Sequence, residues 1–203
     1  MLPLDVAVFH ALNADATTWP GVVAAARWAS QQLPIAMGGA LVGCLVVGNA
    51  AQRHAVARVL ASMALAWLGV QLLRYAVPAP RPAQLGLGTQ WIEHSARAGF
   101  PSMHAAGAFA LAASLQASRP ARSIALAGWA GAFAVAWSRL CLGVHFPSDV
   151  LVGMLTGALS AGVVHALSLR WAGAEPLLPP RAADAHPEPL QPAAPSVSWP
   201  RKF

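Results

Sequence analysis

Three short clusters in this chain hold side chains whose types and spacing could do chemistry. LLRYAVPAPRP carries Arg74 and Arg81 seven residues apart, FPSMHAAGAF carries Ser102 and His104, and SRLCLGVHFPSDV carries Ser138, Arg139, His145 and Asp149. Arginine forks are permanently charged, planar donors suited to phosphate oxygens. Ser102 can donate a hydroxyl proton, and the free amides at the start of a helix there would add an anion site. His145 and Asp149 are four apart. If 145–149 is helical they share a face, and the carboxylate holds one imidazole nitrogen protonated while the other is free to attack. His104 supplies a second titrating group, able to protonate a leaving oxygen and then activate water. A nucleophile, an acid/base and an arginine clamp together make a phosphoryl-transfer site.

The elements that must position these residues are set by an apolar composition. Of the 203 residues 57% are hydrophobic and only 10% charged, with a mean hydropathy of +0.52. Soluble domains carry about 25% charged residues, so the deficit places the chain in a bilayer. Five stretches, 33–50, 56–77, 102–118, 123–141 and 148–169, approach the ~20 residues that cross one, and their many small residues suit close helix packing. The expected fold is all-α, a polytopic transmembrane helix bundle of five to six spans. Residues 1–32 read as interfacial helices or a weak first span, 33–171 as the catalytic bundle, and the Pro/Ala-rich 172–203 as a disordered tail. No basic n-region or cleavage site indicates a removable signal peptide. Cys44 and Cys141 have no metal-type spacing and read as small core residues.

Twelve of the thirteen basic residues are arginine, and the net charge is +6. In a membrane protein that charge belongs to cytoplasmic loops, so no nucleic-acid partner is expected. Arg53, Arg58, Arg119, Arg122 and Arg170, with Arg181, Arg201 and Lys202 in the tail, fall on one side of five alternating spans, which the positive-inside rule makes cytoplasmic. Arg74, Arg81, Arg97 and Arg139 fall on the other. A charge at mid-bilayer costs at least ~2.5–3.5 kcal/mol on insertion scales, so this minority calls for an anionic ligand at the outer face. Tryptophans including Trp19, Trp129 and Trp171 read as an aromatic belt near span ends.

The three clusters, in order, resemble the tripartite signature of type 2 phosphatidic acid phosphatases, shared by vanadium haloperoxidases: Lys-x6-Arg-Pro, Pro-Ser-Gly-His and Ser-Arg-x5-His-x3-Asp. Here they read Arg74-x6-Arg81-Pro82, Pro101-Ser102-Met103-His104 and Ser138-Arg139-x5-His145-x3-Asp149, over roughly residues 56–165. The resemblance implies a phosphohistidine on His145 oriented by Asp149, and protonation of the leaving group by His104. It further implies a phosphate held by Arg74, Arg81, Ser102, the amide of Met103 and Arg139, with no metal and no cofactor. Arg74 and Met103 depart from the family's lysine and glycine, so altered specificity or rate is expected. The stretch EHSARAGFPSMH is similar to the undecaprenyl pyrophosphate phosphatase branch. This implies a lipid phosphate or pyrophosphate substrate in the bilayer and a bacterial inner membrane, with the site facing the periplasm and the tail in the cytoplasm.

Each feature alone also has a plainer reading. Ser102 could be only an N-cap, Arg74 and Arg81 could snorkel to the interface, and Glu93, His94 and Arg97 read as solvated loop residues. A phosphotransferase would use the same residues. A metal-dependent membrane hydrolase would recruit His104, His145, Asp149 and Glu93 among repelling arginines, and a non-enzymatic lipid-binding protein could keep the clamp.

Overall fold

The computed structural model describes residues 3–93 and 98–173. These form helices α1 (Pro3–Leu12), α2 (Pro20–Val47), α3 (Ala50–Ala76), α4 (Met103–Ala117), α5 (Arg122–Cys141) and α6 (Pro147–Gly173), with a short 3-10 turn at Pro82–Leu85. Among the described residues there is no strand. Helices α2, α3, α5 and α6 are long and apolar enough to cross a membrane.

The expected break at residue 32 falls inside α2, which runs unbroken through Pro34. Two of the polar residues in its first half are used by the fold, Ser30 being buried and Arg27 donating to the carbonyl of Trp91, while Gln31 and Gln32 are exposed. Intramembrane Pro and polar groups are tolerated where neighbouring elements satisfy them. The turn into α3 is tight because Asn49 and Gln52 form a reciprocal capping box. The tail from residue 174, with His94 and Arg97, lies outside the described residues.

Helix α4 has 15 residues, a rise of about 22 Å, short of the ~30 Å bilayer core. It needs no lipid-matched length because α3, α5 and α6 surround it, burying Ala105, Ala106, Ala108, Phe109, Ala110, Leu111, Ala112 and Ser114. A helix apolar all round belongs in a core. Its closest partner is α6, where Gly153 and Gly157 lie against the carbonyls of Ser102 and Ala106; a Cβ at either glycine would collide with those oxygens. Small residues thus bring the backbone that starts α4 directly against the first turns of α6. Trp129 sits within α5, with its ring 5.6 Å from that of Phe109.

Tight turns join α2 to α3, α4 to α5 and α5 to α6, and α3 runs antiparallel to α4, with Arg58 donating to Ser118 after α4 and Arg74 to the Pro101 carbonyl before it. Arg53, Arg58, Arg119, Arg122 and Arg170 therefore gather at one end, and α1, residues 77–93 and 98–102 and the 142–146 turn gather at the other.

Candidate active site

The chemistry-bearing clusters meet at this second end. His145 lies in the turn after α5, ahead of Pro147, the first residue of α6. Its proximity to Asp149 therefore comes from a capping turn, not from a shared helical face. Proline opens the helix where its missing N–H costs nothing. Asp149, in the first turn, accepts from the backbone N–H of Phe146 at 2.9 Å, the reach-back half of a capping box. That bond fixes the carboxylate so that Oδ2 is 3.4 Å from His145 Nδ1. The distance is long for a hydrogen bond. Both side chains are buried.

On the other side of the ring, Arg81 Nη1 lies 3.3 Å from His145 Nε2 and donates to the carbonyl of Val144 at 2.9 Å. The tautomer that serves both contacts carries its proton on Nδ1, facing the carboxylate, and leaves the Nε2 lone pair toward the guanidinium.

Ser102 precedes α4, and its backbone N–H donates to the carbonyl of Asp149 at 2.9 Å. Its side chain makes no capping bond, so the plain N-cap reading does not hold. The hydroxyl is fully buried and has no hydrogen-bond partner among the described residues. A buried hydroxyl without a partner costs about 1–3 kcal/mol, a cost that a bound anion would remove.

The arginines close the site. Arg74, at the end of α3, donates to the carbonyl of Pro101 at 3.2 Å. Arg81 and Arg139 are 4% and 1% exposed, and such burial of charge is rare without a purpose. Burial, followed by repulsion from Arg74, lowers the affinity of Arg81 for its proton, and Asp149 opposes the shift. Arg139 is joined to the same turn, its carbonyl accepting from Val144 N–H at 3.2 Å, and its Nη1 donates to Ser30 of α2. Ser138 spends its hydroxyl on the carbonyl of Val135 one turn back. Three cations packed together are costly unless an anion joins them.

His104 and Met103 are half-buried in the first turn of α4. Met103 has ordinary helical backbone; Arg119 is the one non-glycine with positive φ among the described residues. The place therefore demands no glycine conformation. Both residues line an apolar cavity of about 300 Å³ that runs between α2, α3 and α4, past Met37, Leu41 and Met63. Met103 also borders a second, more polar cavity with Arg74 and Gln71.

The structure thus brings together His145, Asp149, Arg81, Ser102, Arg74 and Arg139, with His104 two residues beyond Ser102. Glu93 is exposed, and among the described residues no three His, Cys, Asp or Glu side chains converge as a metal-binding group. Sequence reasoning missed Ser30. Nothing local marks it, because its partner Arg139 is 109 residues away.

Comparison with known proteins bears on the family and the fold. The model of the PAP2 superfamily matches residues 55–172. The chain is 28% identical over 170 residues to "Putative undecaprenyl-diphosphatase YbjG" of Escherichia coli K12, covering 79% of this chain and 82% of that protein. Its fold is similar to the crystal structure of Aquifex aeolicus LpxE, with a TM-score of 0.67 and 24% identity over 80% of this chain and 95% of the other. It is also similar to a PAP2-type phosphatidylglycerolphosphate phosphatase of Bacillus subtilis, with a TM-score of 0.60 and 19% identity over 82% and 85% of the two chains. With the family model covering more than half of the chain, from the first turns of α3 to the end of α6, and the three clusters meeting at one end of the bundle, this chain belongs to the PAP2 superfamily of membrane phosphatases.

Proposed function

We propose that the protein hydrolyses a phosphate or pyrophosphate carried by a membrane lipid, with undecaprenyl pyrophosphate the best candidate, through a phosphohistidine on His145. The observation that carries the reading is the His145 ring held between Arg81 at Nε2 and Asp149 at Nδ1. In the first step Nε2 attacks phosphorus, the bond from phosphorus to the leaving oxygen breaks, and His104 gives that oxygen its proton. In the second, neutral His104 takes a proton from water, the hydroxide attacks phosphorus, and the P–N bond breaks to release phosphate. Arg74, Arg81, Arg139 and Ser102 hold the equatorial oxygens, where charge gathers. The cavity beside His104 is apolar, which suits a leaving group that carries hydrocarbon. Undecaprenyl pyrophosphate is favoured by the likeness to the Escherichia coli protein of that name.

The arginine-rich end opposite the site supports an outward-facing, periplasmic active site in a bacterial inner membrane, with the chain after α6 in the cytoplasm. The test is phosphate release, in the presence of EDTA, from undecaprenyl pyrophosphate, phosphatidic acid, phosphatidylglycerol phosphate and lipid A. Wild type should hydrolyse at least one of them, and His145→Ala should be slower by about 10³-fold or more. Full activity in His145→Ala refutes the intermediate. Activity lost to EDTA and restored by one divalent ion refutes the metal-independent reading.

A further inference from the structure

Helix α1 is too short to span and shows no chemistry in sequence, yet its contacts converge on the turn that carries His145. Asp5 reaches the start of α6. Its Oδ1 accepts from the backbone N–H of Ser148 at 2.8 Å, and its Oδ2 accepts from the Ser148 hydroxyl at 2.7 Å. Phe9, the one buried side chain of α1, packs its ring 5.3 Å from that of Phe146. Asn13 donates to the carbonyls of Thr89 and Cys141 and accepts from Thr89 N–H, while Ala14 N–H donates to Cys141. Gly143 makes this junction possible. It sits at φ +71°, with the Asn13 amide 2.8 Å from where its Cβ would be.

The first N–H groups of α6 have no partners within the helix and carry partial positive charge. Two carboxylates serve them, and each has a distinct task. Asp5, supplied from outside the helix, takes both donors of Ser148, and Asp149 is left to Phe146 N–H and His145 Nδ1. The Phe9–Phe146 packing holds the residue between His145 and the helix, while Arg81 holds the carbonyl of Val144, the residue before His145.

We propose that Asp5 is a positioning residue for catalysis: through Ser148 it anchors the N-terminus of α6 so that Asp149 and His145 stay in register with the arginine cluster. The inference rests on the phosphatase reading above. Asp5 touches neither the phosphate-binding arginines nor His104, so its loss should slow the chemical step and leave phosphate binding intact.

The experiment measures kcat, KM and inhibition by inorganic phosphate for wild type, Asp5→Ala, Ser148→Ala, the double variant and Asp5→Asn, together with the unfolding midpoint of each in detergent. A displacement near 1 Å at a reacting group can cost about 100-fold. Asp5→Ala, which loses both bonds to Ser148, should lower kcat by about 10- to 100-fold, and Ser148→Ala, which keeps the backbone bond, by less, with KM and phosphate inhibition unchanged in both. The double variant should be no slower than Asp5→Ala, since the serine hydroxyl adds no contact beyond those that Asp5→Ala removes. Asp5→Asn can still accept from Ser148 N–H and donate to its hydroxyl oxygen, so it should recover most of the rate. Asp5→Ala within about twofold of wild type, the size of an ordinary surface change, overturns the inference. So does a rate loss that appears as a raised KM, as weakened phosphate inhibition or as a lowered unfolding midpoint shared by Asp5→Asn. A wild type that releases no phosphate from any lipid of the panel overturns the phosphatase reading and this one with it, whereas an active wild type with an indifferent Asp5 overturns this one alone.

Discussion

Replacing Asp149 by asparagine separates the charge of that side chain from its shape. Both of its key contacts use the same oxygen: Oδ2 accepts from Phe146 N–H at 2.9 Å and lies 3.4 Å from His145 Nδ1. In Asp149→Asn the Phe146 N–H selects the orientation that puts the amide oxygen in this place, because the NH₂ group would face a donor. The tautomer of His145 and the helix cap both survive, and only the negative charge is lost. Two unit charges 3.4 Å apart interact by about 1 kcal/mol at a dielectric of 80 and about 5 kcal/mol at 20. The imidazole becomes cationic as it attacks, so kcat should fall by between about tenfold and a few thousandfold. The buried site favours the upper part of that range. Asp149→Ala loses the charge, the orientation and the cap, so it should be slower still and less stable by a further ~0.5–2 kcal/mol. The assay is single-turnover phosphate release from the lipid substrate, with thermal unfolding in detergent run beside it. Wild-type kcat in Asp149→Asn, or the two variants equal in both rate and stability, would show that the charge of Asp149 does not act on His145.

Two further perturbations test the frame around the site. Gly157→Ala places a Cβ against the carbonyl of Ala106 and 2.7 Å from Ala110 N, so it should destabilise by about 1–3 kcal/mol. By levering α4 from α6 it should also slow phosphate release; an unchanged unfolding midpoint would show that the helices do not meet this closely. Met103→Gly removes packing on Ala66, Val70, Ala106 and Ala110 and should cost about 1–3 kcal/mol. Inhibition by inorganic phosphate should hold while the KM for lipid rises, and a gain in kcat would instead indicate that a glycine backbone is wanted there.

The candidate site residues, and the family, were legible from the sequence because their spacing is local. Arg74 and Arg81, Ser102 and His104, and Arg139 and Asp149 are seven, two and ten positions apart. The apolar runs also announced the helices, since a bilayer core demands length and hydrophobicity that composition reports directly. Where that signal misled, polar residues were satisfied by distant partners. Arg27 and the two glutamines Gln31 and Gln32 made the first half of α2 look interfacial, but Arg27 serves the Trp91 carbonyl, as the nearby Ser30 serves Arg139. The length of α4 was likewise set by its enclosure among other helices, which hydropathy does not report.

In the amino-acid sequence, composition announces a membrane helix bundle, and local spacing picks out the arginines, the serine, the two histidines and the aspartate proposed to handle phosphate. Only the tertiary structure decided how the set is held. The His145–Asp149 pair owes its geometry to a helix cap, Ser102 keeps its buried hydroxyl clear of any cap, and α1 grips the start of α6 through Asp5, 143 residues from Ser148. Bonds across such separations leave no periodicity in the chain, because they are chosen by which surfaces the packed helices bring into contact.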